Sequence, residues 1–382
     1  MHKYILSIAL CLSVCFQAHA EGSDLVTELM GDTPVQETNV KKQSETDKNK
    51  DGFLSFLDFS FIKKPFSLFG SENKQEAAAT NEGEDKKVET PFEKAVRMAE
   101  NGDAESALAL GYMYLYGQSG VETDYQKAFH FYELAAKQNN LIALNNLGSL
   151  YFNGIGTEVD YDKAIALFKK AAELGSDDAA VNLAFIYLSS RDKVYFTPAI
   201  ALFEQAADTG NNTAKFMLGY AYYKGFVVPQ DLRSAVQLIQ EAANANFDEA
   251  QLVFARMYIY GQGIAQNYGH AITYYRRAIA QGNIEAIMDL AKILTEGQVY
   301  APNLLQAHTL YNIASVYGVE GAAESRDSLK SSLKLEQLLE AQNAAEKYQP
   351  HPSELTQYIR HTFGTNIRKY IDDNLSKQGK KS

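Results

Sequence analysis

The stretch LGSLYFNGIGTEVDYDKAIALFKKAAELG, residues 147–175, decides the fold of this chain. It holds two runs with apolar residues at helical spacing, separated by a Gly-x-Gly turn and closed by Gly175. Glycine ends helices because it enters the left-handed backbone region at little cost. The stretch therefore predicts a hairpin of two helices with an apolar face that it can bury only by stacking on a neighbour.

The same pattern recurs along most of the 382 residues. One column steps by 35 to 37 residues through Ala99, Ala136, Ala172, Ala207, Ala243, Ile279 and Ser315. Three residues after each of these stands a glycine or asparagine, which marks the end of a helix. A second column of small residues lies in the first helices, where we expect it to let a neighbouring backbone approach: Gly111, Gly148, Ala184, Gly219, Ala255 and Ala291. The repetition predicts about six hairpins.

This pattern resembles the Sel1-like repeat family, a branch of the tetratricopeptide-repeat superfamily, with the best match in residues 147–175. The resemblance implies an all-α fold, a right-handed α-solenoid of about six helical-hairpin repeats over residues 91–349. One unit departs from it, because SSRDKVYFTPAI at 189–200 lacks the Gly-x-Gly loop. Residues 350–382 are expected to form C-terminal capping helices, with apolar residues at near-helical spacing, and a basic tail.

The first twenty residues are typical of a secretory signal peptide. A basic residue precedes an apolar run at 4–16, and an Ala-x-Ala site ends at Ala20. We expect cleavage before Glu21 and a periplasmic or secreted mature chain. Both cysteines, Cys11 and Cys15, lie in this segment, so no disulfide or cysteine-bound metal is expected in the mature protein.

Residues 21–90 are predicted to be a disordered tether, because they are rich in charged and polar residues and show no helical apolar stripe. Within it lies an apolar island at 53–70 that contains six phenylalanines. Exposing so many rings is unfavourable. We expect the island to dock on a partner protein, on a membrane surface as a peripheral contact, or on the solenoid itself.

A stretch resembling a calcium loop opens this island. In DKNKDGFLSFLDF, Asp47, Asn49, Asp51 and Asp58 stand at the loop positions 1, 3, 5 and 12. An amphipathic helix before the loop is lacking, and Asp58 is shorter than the usual bidentate glutamate. Calcium binding is therefore kept as an alternative to a protein without a cofactor, and no other metal site is predicted.

Composition and motifs argue against several functional classes. The formal net charge of −11 does not suit a general nucleic-acid binder. Beyond the N-terminal segment, no apolar run has the length of a transmembrane helix. The Gly-x-Gly motifs at 154–156 and 261–263 lack a preceding strand and are interpreted as turns rather than phosphate loops. Because no catalytic set is found, the chain is not predicted to be an enzyme.

In the tetratricopeptide superfamily, first helices line the concave face, so the resemblance implies a partner-binding groove there. The positions read onto this chain are Tyr112, Tyr116, Asn145, Ser149, Phe185, Phe216, Tyr220, Tyr223, Arg256, Tyr260, Met288 and Lys292. We expect about a third of such positions to pack between repeats instead. An apolar, tyrosine-rich floor with a few polar groups suits an extended peptide or a partner helix.

The predicted function is an exported, non-enzymatic protein-protein interaction scaffold. The resemblance implies a bacterial role in envelope function, signalling or contact with a host, including virulence. An alternative is a periplasmic protein that binds peptidoglycan or another carbohydrate, or regulates a peptidoglycan enzyme, since an aromatic groove would serve there too. A β-lactamase-like hydrolase is disfavoured, because the two S-x-x-K motifs lack their S-D-N and K-T-G partners.

Overall fold

The computed structural model describes residues 89–379, apart from residues 119, 191 and 298–300. These residues form α-helices, two short 3-10 helices and turns, with no strand among them. The signal peptide, the tether up to residue 88, the apolar island, the calcium loop and the last three residues of the basic tail lie outside the described residues and stay predictions. The chain divides into two compact units, which contain residues 89–211 and 212–379 of the described part.

The N-terminal unit, residues 89–211, holds a leading helix and three hairpins. Its helices are α1 (Pro91–Glu100), α2 (Ala104–Tyr116), α3 (Tyr125–Lys137), α4 (Leu141–Asn153), α5 (Tyr161–Glu173), α6 (Asp177–Ser189) and α7 (Phe196–Asp208), with a 3-10 helix at Lys193–Tyr195. The hairpins pair α2 with α3, α4 with α5, and α6 with α7. In each pair we call the earlier helix the first helix and the later one the second helix.

The C-terminal unit, residues 212–379, holds three more hairpins and the end of the chain. Its helices are α8 (Asn212–Lys224), α9 (Leu232–Asn244), α10 (Asp248–Tyr260), α11 (Tyr268–Ala280), α12 (Ile284–Glu296), α13 (Leu304–Val316), α14 (Ala322–Ser328), α15 (Leu335–Glu346), α16 (Glu354–Phe363) and α17 (Lys369–Gly379), with a 3-10 helix at Lys330–Ser332. The hairpins pair α8 with α9, α10 with α11, and α12 with α13. Six hairpins in all confirm the predicted all-α class of repeated helical hairpins.

Helix starts and stops follow from local side chains. Asp103 accepts a hydrogen bond from the Ser106 N–H at 2.8 Å and Asn140 accepts one from the Ala143 N–H at 2.9 Å, which satisfies donors that the helix itself leaves unpaired. The predicted stops after the leading helix and the six second helices are confirmed, because all seven have positive φ: Gly102, Asn139, Gly175, Gly210, Asn246, Gly282 and Gly318.

The column of small residues makes room for a side chain rather than for a neighbouring backbone, which corrects the expectation at two of its glycines. A Cβ added to Gly111 would lie 3.1 Å from the Tyr132 ring, and one added to Gly148 would lie 3.0 Å from the Phe168 ring. Both rings belong to the second helix of the same hairpin. The small residue and the ring therefore lock the two helices of a hairpin together.

The Gly-x-Gly turns are confirmed as turns, and the second glycine has its own packing reason. Gly156 has φ +70°, and a Cβ there would lie 2.1 Å from the Tyr125 carbonyl oxygen at the start of the preceding second helix. Gly263 has φ +73°, and its Cβ would lie 2.6 Å from the Leu232 carbonyl oxygen. Neighbouring hairpins thus approach backbone to backbone at this position.

The hairpin that lacks Gly-x-Gly still forms, but through a different loop. The cap of α6 is Ser190 in an extended conformation, and Asp192 then caps the 3-10 helix through the Val194 N–H. The rings of Phe185 and Phe203 meet edge to face, with centroids 5.4 Å apart. Hairpin packing is therefore kept by the ring contact between α6 and α7, and the 3-10 turn replaces the glycine turn.

Candidate functional site

The first-helix face of a unit is defined here as the set of first-helix positions that the sequence predicts to line the groove, together with the first-helix residues beside them. In the N-terminal unit, Tyr112 and Tyr116 are half-buried, with ring centroids 4.6 Å apart. Asn145, Ser149 and Phe185 are buried. The exposure expected for these last three residues is wrong.

The buried amides of this unit pair across repeats. Asn182 donates through Nδ2 to Asn145 Oδ1 at 2.9 Å, which joins α6 to α4. The Ser149 hydroxyl donates to the Asn145 carbonyl oxygen at 3.2 Å. Buried polar groups of this kind need partners, which the neighbouring repeat provides for Asn145 and the same helix provides for Ser149. These positions hold repeats together and are not open to a ligand.

In the C-terminal unit, Phe216 and Tyr220 are also buried, against expectation. Phe216 meets Phe247 edge to face at 5.0 Å and stacks on Tyr220 at 5.9 Å. The Tyr220 hydroxyl donates to Asp372 Oδ1 at 2.9 Å, and Asp372 belongs to the last helix, α17. The end of the chain therefore covers this part of the predicted groove.

The remaining predicted residues are partly or largely accessible. Tyr223, Arg256 and Met288 are half-buried, and the Tyr223 hydroxyl donates to Gln262 Oε1 at 2.5 Å. Tyr260 is 69% exposed and the Lys292 side chain is 71% exposed. The accessible part of this face therefore lies toward the C-terminal ends of α8, α10 and α12.

Four carboxylates of α10 and α12 form what we call the acidic row: Asp248, Glu249, Glu285 and Asp289. Asp248 and Glu249 are buried. Arg256, also from α10, donates through Nε to Asp289 at 2.6 Å and through Nη2 to Glu285 at 3.1 Å. Sequence reasoning singled out Arg256 but missed the row, although Glu249 and Glu285 stand at the same repeat position, six residues before Ala255 and Ala291.

Residues 348–379, here called the C-terminal segment, lie along this face. The Tyr348 hydroxyl donates to the Ile279 carbonyl oxygen at 2.6 Å, and the His351 N–H donates to the Ala280 carbonyl oxygen at 2.7 Å. Further along, the Ser353 hydroxyl donates to the Asn246 carbonyl oxygen at 2.6 Å. The segment thus runs from the end of α11 back to the turn before α10.

Helix α16 continues these contacts onto α10. The Asp248 N–H donates to Thr356 Oγ1 at 3.2 Å, and the Thr356 hydroxyl donates to Gln281 Oε1 at 2.7 Å. Arg360 donates through Nη2 to Asp248 Oδ2 at 2.6 Å. The segment was predicted to cap the array, but its partners lie on α8, α10 and α12 and on the ends of α9 and α11, all of which precede the last helices of the stack.

Arg368, the residue before α17, bridges two repeats. Its Nε donates to Glu249 Oε2 at 2.5 Å and its Nη2 donates to Glu285 Oε1 at 2.8 Å. Asn366 adds a donor to Glu285 Oε1 at 3.3 Å. One planar guanidinium therefore joins α10 to α12, a geometry that suits arginine because its donors form a rigid fork.

Burial and the arginines set the protonation of the row. Burial raises the pKa of Glu249 to about 7, and the neighbouring Asp248 charge adds to this while Arg368 opposes it. For Glu285, burial acts in the same direction, but the Arg368 and Arg256 guanidinium groups outweigh it, so its pKa lies below the usual value. Glu249 therefore titrates near neutral pH, whereas Glu285 is charged there.

The segment also buries apolar side chains. Of the stripe that the sequence predicts in it, four residues are buried: Ile359, Phe363, Ile367 and Ile371. Burying an apolar side chain of this size stabilises by roughly 1.5–3 kcal/mol. The segment therefore combines a buried apolar stripe with arginine-carboxylate pairs to α10 and α12.

Over the part of the chain that the structure describes, no helix is long and apolar enough to cross a membrane. In the same residues, no group of three or more His, Cys, Asp or Glu side chains has the arrangement of a metal site. The acidic row accordingly binds arginines in this structure, through ion pairs, and its carboxylates are spread over two helices.

Comparison with known proteins identifies the repeats. The family model described as Sel1 repeat matches residues 104–140, 141–176, 177–211, 213–247 and 248–283. These bounds follow the five hairpins from α2/α3 to α10/α11. No curated protein matches the chain.

Several solved structures are similar to this chain. A Sel1 repeat protein from Oxalobacter formigenes is 27% identical over 59% of this chain and 99% of its own, with a TM-score of 0.51. A protective antigen present in uropathogenic Escherichia coli strains, with an SLR fold, is 22% identical over 76% of this chain and 67% of its own, with a TM-score of 0.48. An immunity protein from Pseudomonas aeruginosa is 23% identical over 68% of this chain and 91% of its own, with a TM-score of 0.35. The repeat matches identify five Sel1 repeats within residues 104–283, and this chain is similar in fold to the Oxalobacter Sel1 repeat protein.

Proposed function

We propose that this chain is an exported, non-enzymatic scaffold that binds a segment of another protein on its first-helix faces. One observation carries the proposal: the first-helix face of the C-terminal unit already holds a polypeptide, the C-terminal segment, through backbone, side-chain and ion-pair contacts. Tetratricopeptide-like repeats generally serve as protein-interaction scaffolds, because stacked repeats create an extended binding surface.

The accessible residues of the two faces are the proposed contact points. In the C-terminal unit, Tyr260 and Lys292 are largely exposed. Met288, which precedes Lys292 by four residues in α12, is half-buried. In the N-terminal unit the neighbouring Tyr112 and Tyr116 rings are half-buried. Tyrosines on a rigid helix are common anchors of protein interfaces, because they bury a large area and lose little conformational freedom.

The setting of the scaffold rests on the N-terminal sequence. The twenty-residue signal pattern supports export to the periplasm or beyond, and the phenylalanine-rich island at 53–70 supports a second contact, with a partner or a membrane surface. We therefore place the scaffold in bacterial envelope function, signalling or host contact. N-terminal sequencing of the exported protein should find Glu21 first, and a retained Met1 would contradict export with cleavage.

The binding role is tested with the full chain as bait against purified envelope proteins, peptidoglycan and host proteins. We expect a protein to be retained, and Tyr260→Ala with Lys292→Ala to weaken its purified complex about tenfold. Val316→Ala, at an 80%-exposed second-helix position, is the matched control and should bind normally. Retention of peptidoglycan alone would favour the carbohydrate-binding alternative, and equal binding by both variants would contradict the proposed face.

A further inference from the structure

We propose that the first-helix face of the C-terminal unit is a receptor for an arginine-bearing helical segment, and that the chain's own C-terminal segment is its displaceable ligand. The proposal rests on the proposed function and deepens it, because it names the chemistry of the partner and the way in which the site is regulated. An external segment with the same arginines would then compete with residues 348–379 for one site.

The charges of the face select a cation. The acidic row contributes four carboxylates, whereas the repeats contribute one arginine to it, Arg256. The two other guanidinium groups, those of Arg360 and Arg368, come from the C-terminal segment. A buried carboxylate is unfavourable unless it is paired, so the repeats alone leave a site that requires cations from elsewhere.

The geometry favours arginine over lysine. Arg368 bridges Glu249 and Glu285, which belong to different repeats, through two different nitrogen atoms. A lysine at this position would keep the positive charge, but its single ammonium could not reach both carboxylates from two separate nitrogen atoms. Arg360 meets Asp248, whose same oxygen also accepts from Asn283 Nδ2 at 2.9 Å. The expected partner therefore carries two arginines on a short helical segment with an apolar stripe.

Helices α16 and α17 are separable from one core cluster of the unit, although Tyr348 at the start of the segment packs against it. A core cluster of buried residues runs from Leu252 through Leu290 to Leu329 and takes in the hairpins of α10 to α13 together with α14. Among the described residues, none from α16 or α17 belongs to this cluster. The segment joins the stack through residues 348–353, which include Pro350 and Pro352 and form no helix. Its departure would thus leave these hairpins packed on one another.

Hydrogen exchange of the full chain tests the docking. In Arg368→Ala and Arg368→Lys, amides of residues 354–375 should exchange at least tenfold faster than in wild type, while those of α10 to α13 stay protected. Lys369→Ala removes the neighbouring exposed cation and should match wild type. Tyr220→Phe, which removes only the hydroxyl bonded to Asp372, should loosen α17 more mildly and guards against misfolding of the arginine variants. Loss of protection in α10 and α12 together with the segment would overturn the proposal, as would wild-type exchange in Arg368→Lys.

Binding in trans tests the receptor. The probe is a fluorescent synthetic peptide of residues 350–376, added to the full chain. It should bind full-length Arg368→Ala at least tenfold more tightly than wild type, because the face is then open, and the same peptide with both arginines replaced by alanine should bind neither. No binding by the unaltered peptide to the opened chain would overturn the inference. The proposed function would survive that result if the full chain still retains a partner protein through Tyr260 and Lys292. If the peptide binds normally but no partner protein is retained, the proposed function alone is overturned.

Discussion

The two units of this protein are built from the same hairpin, yet their first helices bury different polar groups. In the N-terminal unit the buried groups are amides such as Asn145 and Asn182, which pair with each other between adjacent first helices. In the C-terminal unit they include the carboxylates of Asp248 and Glu249, whose cationic partners come from outside the repeats. The fold is shared by the two units. The kind of polar group that is buried decides whether its partner comes from a neighbouring repeat or from another segment of polypeptide.

A single repeat position shows the difference. Six residues before the small residue of the first helix stand Glu105, Ile142 and Asp178 in the N-terminal unit, and Thr213, Glu249 and Glu285 in the C-terminal unit. Asp178 accepts from the Asn211 side chain at 3.2 Å and so stays within its own repeat. Glu249 and Glu285 instead share Arg368. Two consecutive acids at this position are the feature that distinguishes the covered face.

Both units use the same Gly-x-Gly turn geometry. The variants Gly156→Ala and Gly263→Ala should disrupt this turn, one in each unit. Each added Cβ would meet a backbone carbonyl oxygen, at a position that also requires positive φ. We expect each variant to lose about 3 kcal/mol or more in the free energy of unfolding, measured with urea. Gly175→Ala is the control, since its φ is +98° but nothing lies within 4 Å of its Cβ, and it should lose about 1 kcal/mol. Equal losses at the three sites would show that the close approach is unimportant.

The raised pKa of Glu249 predicts a decline in stability as the pH rises, while burial lowers the pKa of His308 and acts in the opposite direction. An acid with a pKa of about 7 in the folded chain and 4.5 when unfolded binds more protons folded between these values. Its contribution to stability is therefore present below about pH 4.5 and falls by roughly 3 kcal/mol as the pH rises to 7 and above. We expect Glu249→Gln to lack this decline when unfolding free energies are measured from pH 4.5 to 8.

The N-terminal unit provides the control for that experiment. Backbone hydrogen bonds from Lys127 and Lys163 lower the pKa of Asp124 and Asp160, so their stabilising contributions are lost only as the pH falls below about 4. Asp124→Asn should thus leave the slope between pH 4.5 and 8 unchanged. If Glu249→Gln keeps the wild-type pH dependence of the free energy of unfolding, the assignment of that dependence to Glu249 is contradicted.

The amide pair of the N-terminal unit allows a sharper contrast. Asn182→Ala leaves the buried Asn145 Oδ1 without its donor and should lower the free energy of unfolding by about 1–3 kcal/mol. The double variant Asn145→Leu with Asn182→Leu removes both partners, and its stability should return close to that of the wild type, because an apolar pair of similar size needs no hydrogen bond. Thermal unfolding of the single and double variants checks both expectations. A double variant that is less stable than the single would indicate a further role for the amides.

The smallest expected effect concerns a turn of the C-terminal unit. In Gly225-Phe226-Val227, a valine with φ +67° replaces the second glycine of the Gly-x-Gly turn. A β-branched residue is strained there, so Val227→Gly and Val227→Asn should raise the free energy of unfolding by about 1 kcal/mol. Val227→Ala keeps a Cβ in the same region and should gain less. If Val227→Ala raises the free energy of unfolding as much as Val227→Gly does, the cause is the exposed apolar surface of the valine and not the strain of its backbone.

The period and the glycine stops were readable from the sequence because they are local. The seven predicted stops carry positive φ, and even the hairpin without Gly-x-Gly forms. The face was harder to predict, because counting positions does not reveal that Asn145 meets Asn182 or that Tyr220 meets Asp372. The apolar stripe of the C-terminal segment predicted helices but not the helices on which they pack, since that depends on contacts between residues 69 to 152 positions apart.

The bridge made by Arg368 has a consequence for the order in which this protein is synthesised. Arg368 follows Asp289, the last residue of the acidic row, by 79 residues (368 − 289), which at about 5–20 residues per second corresponds to roughly 4–16 s of translation. Over that interval the nascent chain presents the acidic row without its two external arginines. A basic factor that meets the chain during synthesis or export encounters an open face, whereas one that arrives after completion must compete with the chain's own last thirty or so residues.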